Sequence, residues 1–113
     1  MAYERFMVAR VPFPFTDRAA TKFRPALVLS DARAFNSPAG HAVMAMITSQ
    51  SQPAWPLDCP IRDLSAAGLP APSLVRFKLF TLDLRLVTKR LGRLGAADTK
   101  MVTAALSKLL ASA

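Results

Sequence analysis

Acidic residues are scarce in this chain, and histidine and cysteine are scarcer still. Only 7 of 113 residues are Asp or Glu, and there is 1 His and 1 Cys. A lone cysteine, Cys59, excludes an intrachain disulfide and a cysteine-rich zinc site, and it suits a reducing cytoplasm. A lone histidine excludes acid–base catalysis by a histidine pair. His41 follows Gly40 at the start of an apolar run, so it reads as a surface or structural residue. Two-metal chemistry needs clustered carboxylates, whereas Asp17, Asp31, Asp58, Asp63, Asp83 and Asp98 are scattered and fall mostly near turns. No window approaches the ~18 apolar residues of a membrane span. The first residues reach Arg5 and Arg10 without the apolar stretch of a signal peptide. A soluble, untargeted protein of one domain, residues 1–113, is the expectation.

What the chain has in plenty is positive charge and apolar surface. Lys and Arg number 15, giving a formal charge of +8, and a polyanionic partner is the natural expectation. The hydrophobic fraction of 52% is high for a small soluble domain. Another copy of the chain covering part of that surface would account for it.

In Val11-Pro-Phe-Pro-Phe-Thr-Asp17, alternation puts Met7, Ala9, Val11, Phe13 and Phe15 on one face of a strand. Pro12 and Pro14 withhold N–H groups on one lateral side, which predicts a sheet edge or barrel seam. Thr16 and Asp17 open a polar loop that also holds Arg18 and Lys22, and Pro25 forces Arg24 into an extended conformation. A guanidinium is thus presented where a loop meets the next strand. Pro25 to Ser30 reads as a buried strand, 31–40 as a connection, and His41 to Thr48 as a third strand. Ser49 to Pro56 is a polar loop carrying Trp55, followed by a short strand around Leu57 to Ile61 and a helical turn over Asp63 to Gly68. Ser73 to Leu82 alternates, with Val75, Phe77 and Leu79 on one face and Arg76 and Lys78 on a basic outer face. Met101, Val102, Ala105, Leu106, Leu109 and Leu110 form the apolar stripe of a helix over Ala96 to Ala111, with Asp98 favourably placed in its first turn. Many short strands, one terminal helix and proline-rich turns predict a mainly β protein, a small bent antiparallel sheet closing toward a barrel.

The motif Val11 to Asp17, followed by Arg24-Pro-Ala-Leu-Val-Leu-Ser30, resembles the MazF/PemK family of toxins from bacterial toxin–antitoxin pairs. Members read V-x-F-P-F-[TS]-[DE], a short loop, then R-P-A-[LV]-V-[LV]-S. Ile47-Thr48-Ser49, Ser73-Leu-Val-Arg76, Leu79-Phe-Thr-Leu82, Arg90-Leu-Gly92 and the terminal helix follow in family order. The resemblance implies a short strand within 84–95, where apolar spacing alone would also suit a helix. It implies an SH3-like barrel of the MazF/CcdB type, usually a homodimer. It further implies sequence-selective cleavage of single-stranded RNA in the cytoplasm with neither metal nor cofactor, neutralised by a small antitoxin whose acidic tail crosses a basic groove. Arg24 matches the family's catalytic arginine and Thr48 its catalytic threonine, roles that suit bidentate clamping of the scissile phosphate and hydrogen bonding to it.

Around that pair, Thr16, Asp17, Ser49 and Gln50 carry groups able to read base edges. Lys22, Arg76 and Lys78 suit the RNA backbone, and Trp55 and Phe23 suit stacking on unpaired bases. Each also admits a plainer role: Arg24 pairing with a rim carboxylate, Thr48 as an ordinary strand residue, Trp55 and Phe23 in packing or in antitoxin contact. Two positions depart from the family pattern. Phe6-Met7 replaces the usual Gly-Asp before the first strand, which predicts an altered strand entry or dimer surface and leaves the proposed chemistry untouched. Ala19 stands five positions before Arg24, where some members carry an acid. Two rivals share the barrel: a gyrase poison, for which Leu110-Ala-Ser-Ala113 offers no aromatic or charged hot spot, and a catalytically silent RNA-binding barrel.

Overall fold

The computed structural model describes residues 3–13, 22–51 and 53–111. Strands β1 (Met7–Phe13), β2 (Lys22–Val28), β3 (His41–Ser49), β4 (Cys59–Pro60), β5 (Ser73–Asp83) and β6 (Lys89–Arg93) form one antiparallel sheet in the order β4-β5-β3-β2-β1-β6. It curls into a half-barrel, as expected for a mainly β chain. Both faces are covered. Met7, Ala9, Val11, Ala26, Val28, Ala42, Met44 and Leu82 pack on one side. On the other, Val8, Leu27, Ala45, Ile47 and Val75 meet Val102 and Ala105 of the terminal helix α3 (Ala96–Leu109).

The edge position expected for β1 is not what forms, since β1 lies between β2 and β6. Pro12 is tolerated for a local reason, and Pro14 lies outside the described residues. Thr88 donates its N–H to the Arg10 carbonyl at 2.9 Å, so the even-numbered peptides of β1 face β6. The last β6 rung is Arg10 with Lys89, so Pro12 withholds its N–H past the point where β6 ends. Phe6 keeps a left-handed backbone, φ 70°, although it stands where the family pattern has glycine. That strain, roughly 1–2 kcal/mol, is offset by a buried ring with the Arg5 guanidinium 4.6 Å above it.

Residues 31–40 are more ordered than a connection. Asp31 accepts from the N–H groups of Arg33 and Ala34 at 3.0 and 2.8 Å, starting a π-helical turn, Ala32–Asn36. A short α1 (Ser37–Ala39) follows and ends at Gly40 with φ 66°. Asn36, inside the expected connection, is 1% exposed. Its Nδ2 donates to the carbonyls of Tyr3 (2.8 Å) and Ser30 (3.0 Å), and its Oδ1 accepts from the Ser30 hydroxyl. Asn36→Ala should therefore destabilise the protein by about 2–3 kcal/mol. Urea unfolding would show a lower midpoint at unchanged slope.

The helical turn expected at 63–68 is α2 (Leu64–Ala67), capped by Asp63 and closed by Gly68. Asp98 does more than complement the α3 dipole. Buried at 2% exposure, its carboxylate accepts from the N–H groups of Arg62 and Asp63 at 2.9–3.1 Å, tying α2 to α3. A 3₁₀ turn, Leu84–Leu86, leads into β6. In β5 the register against β3 shifts between Met44↔Phe80 and Met46↔Arg76. Phe77 stays in the core, but Leu79, within that irregular stretch, is 40% exposed, and Arg76 is buried instead of lying on a solvated face.

Candidate active site

Arg24 sits in β2 opposite Val11 and two residues before Ala26, so it continues the Val11–Ala26 face beyond the apolar core. Thr48 extends the same face of β3 past Met44 and Met46, and Arg76 pairs with Met46 across the β3–β5 ladder. The result is an open cleft of about 220 Å³ lined by Phe13, Arg24, Met46, Thr48, Arg76 and Lys78. Four expected site residues thus converge on one place: Arg24, Thr48, Arg76 and Lys78.

The cations of the cleft are held differently. Arg24 is exposed, with its guanidinium 6.0 Å from the Phe13 ring centre. The ion pairs among the described residues join Arg76 to Asp58, Arg85 to Asp83 and Arg93 to Glu4, and none involves Arg24. Pairing with a rim carboxylate is therefore not seen for Arg24 among those residues. Arg76 donates Nε and Nη2 to Asp58 at 3.2 and 3.0 Å, and Nη2 also to the Pro53 carbonyl at 2.7 Å. The Asp58 hydrogen bond raises the Arg76 guanidinium further above its usual range. Lys78 is exposed, with Nζ 4.5 Å from the centre of the Trp55 ring.

Other expected residues fall outside the cleft lining. Lys22 is exposed at the start of β2, opposite Phe13. Phe23 is 48% exposed with Arg10 5.0 Å from its ring, and alternation puts it on the sheet face opposite Arg24. Ser49 Oγ lies 2.9 Å from Ser51 Oγ and accepts the Ser51 N–H, while Gln50 donates to the Ser73 carbonyl at 3.1 Å. Both side chains serve the β3–β4 loop. Thr16, Asp17 and Ala19 lie outside the described residues. His41 contacts the Ala39 carbonyl at 2.9 Å, away from the cleft lining.

Phe13, read only as part of the first strand's apolar face, and Met46 were not expected in the site, although strand alternation two residues from Val11 and Thr48 carried the signal. Asp58 gave none, because its partner is 18 residues away. Burial, then Asp58 and Asp98, raise the Cys59 thiol above its usual range, which marks a packing residue and not a nucleophile. Among the described residues no group of 3 or more His, Cys, Asp or Glu gathers as a metal site. Asp83 is held at about 2 by hydrogen bonds from Arg85, outside the cleft. A fork-shaped guanidinium, an ammonium and a hydroxyl around one open space are suited to a phosphate.

Half-barrel, covering helix and cleft together define a small basic β protein with an open cationic cleft. The chain belongs to the PemK-like, MazF-like toxins of type II toxin–antitoxin systems, whose family model matches residues 4–110. Its fold is similar to MazF in a MazE–MazF crystal structure from Deinococcus radiodurans, at 23% identity, TM-score 0.78 and full coverage of both chains, 100% and 100%. An endoribonuclease solved with its cognate antitoxin from a mycobacterial species matches at 18% identity and TM-score 0.77, covering 99% of this chain and 98% of that one. The Mycobacterium tuberculosis toxin MazF-mt6 matches at 19% identity and TM-score 0.71, covering 92% and 95%. Among curated protein sequences none matches this one.

Proposed function

We propose that this protein is a sequence-selective endoribonuclease toxin that cleaves single-stranded RNA without a metal ion. The observation that carries the reading is the shared cleft of Arg24, Thr48 and Lys78. In this mechanism a ribose 2′-hydroxyl loses its proton and attacks the adjacent phosphorus, and the bond to the 5′ oxygen breaks. One fragment keeps a 2′,3′-cyclic phosphate and the other, once protonated, a 5′-hydroxyl. Arg24 grips the non-bridging oxygens with its fork, Thr48 donates to the same centre, and Lys78 offsets the charge that builds in the transition state. A guanidinium is a weak base, so the role of Arg24 is electrostatic and positional.

The antitoxin complexes of the similar structures support a cognate antitoxin here, with an acidic tail suited to a chain of charge +8. The exposed Phe35, Leu79, Leu86, Leu109 and Leu110 support assembly with another chain, and a homodimer in the cytoplasm is the form proposed. Purified protein freed of antitoxin and incubated with a long defined RNA in EDTA should give discrete fragments with 5′-hydroxyl ends. RNA left intact by folded protein at high concentration would sink the reading.

A further inference from the structure

Asp58 joins more of the cleft than any other carboxylate among the described residues. Its Oδ1 and Oδ2 accept from Nε and Nη2 of Arg76, and Oδ2 also accepts the Trp55 backbone N–H at 2.9 Å. The Asp58 N–H donates back to the Trp55 carbonyl at 3.2 Å. Arg76 Nη2 closes the other end of the loop on the Pro53 carbonyl. Residues 53–58 are thereby folded onto β5 by one bidentate, largely buried ion pair, with side chains 9% and 14% exposed. At the tip Trp55 remains 43% exposed, with Lys78 at 4.5 Å and the Arg76 guanidinium at 5.9 Å from its ring.

We propose that Asp58 is a positioning residue: by engaging Arg76 and the Trp55 backbone it holds Trp55 beside the Arg24–Thr48 cleft as a shelf for an unpaired base of the RNA strand. The inference rests on the endoribonuclease reading above. The chemistry suits this task. An exposed indole offers stacking to any base, and Lys78, which shares the cleft with Arg24, reaches the phosphates on either side. Arg76 is then a structural cation, and Lys78 and Arg24 are the cleft cations left for RNA among the described residues. Asp58 does not itself line the cleft, meets the lining through Arg76 and stays clear of the reacting atoms, so its loss acts on binding and not on the chemical step.

Trp55 is the single tryptophan of the chain, so intrinsic fluorescence reads the shelf directly. A single-stranded oligonucleotide with 2′-O-methyl riboses, which lack the attacking hydroxyl, should quench Trp55 in the wild type. Asp58→Asn should leave Trp55 more open to acrylamide and weaken oligonucleotide binding about tenfold. Its KM for a cleavable RNA should rise alike, with kcat within about twofold. Trp55→Ala, an exposed change that leaves the pair intact, should raise KM similarly, and adding Asp58→Asn to it should cause little further loss. Asp58→Glu should recover part of the affinity. If folded Asp58→Asn or Trp55→Ala binds and cleaves as the wild type does, the shelf is wrong. If the two effects multiply in the double variant, Asp58 does not act through Trp55 and the proposal is again overturned. A wild type that neither binds nor cuts RNA would instead overturn the endoribonuclease reading, and the shelf with it.

Discussion

Replacing Arg24 with alanine is expected to lower the single-turnover rate of RNA cleavage by about a hundred- to a thousandfold, the effect of removing one preorganised donor from a developing oxyanion. Stability should barely change. Arg24 is exposed, forms no ion pair among the described residues and is not part of the core cluster, so urea unfolding should shift by less than about 0.5 kcal/mol. Arg24→Lys should remain badly impaired, because an ammonium keeps the charge but loses the fork that matches two phosphate oxygens. A variant cutting at close to the wild-type rate would remove Arg24 from the mechanism and leave Lys78 as the cleft's electrostatic anchor.

The contrast between Arg24 and Arg76 shows what a sequence can tell about a basic site. Arg24 was legible because Pro25 and the surrounding motif fix its place at the start of β2. Thr48 was legible because the apolar run from His41 ends there, next to a polar loop, in register with the family's threonine. Arg76 and Lys78 looked alike, two cations on one strand face. They differ because Asp58 returns from another loop to bury one of them. Pairings of that length leave no local signature.

The same limit explains the fold. Periodicity marked α3, which begins at Ala96 as expected and stops at Leu109, two residues short of the expected end at Ala111. It could not show that β6 would come to flank β1, or that Asn36 would be buried beneath Tyr3, since both depend on distant chain. The resemblance implied a strand within 84–95, but why β6 carries Gly92 became visible only in the packing of β6 against α2.

That packing leads to the largest stability effect. Gly68 ends α2 with φ 71°, and a Cβ added there would lie 2.0 Å from the Leu91 carbonyl oxygen and 2.6 Å from its carbon. Across the contact, a Cβ on Gly92 would lie 2.4 Å from the Ala66 oxygen and 2.6 Å from the Ala67 carbonyl carbon. The obstacles are backbone atoms, which cannot rotate away, so α2 and β6 must separate. Separation would lift Ala67 and Leu69 from the core they share with Leu94 and Val102. Gly68→Ala is therefore expected to cost about 4 kcal/mol or more, lowering the thermal midpoint by roughly 15 °C.

Gly40→Ala is the control. Its φ of 66° is equally left-handed, but a Cβ there meets nothing within 4 Å, so only the conformational penalty of about 1 kcal/mol applies. Equal melting of the two variants would mean that backbone conformation, and not the α2–β6 contact, sets the requirement for glycine. A Gly68→Ala midpoint far below that of Gly40→Ala would show how closely two backbones approach here.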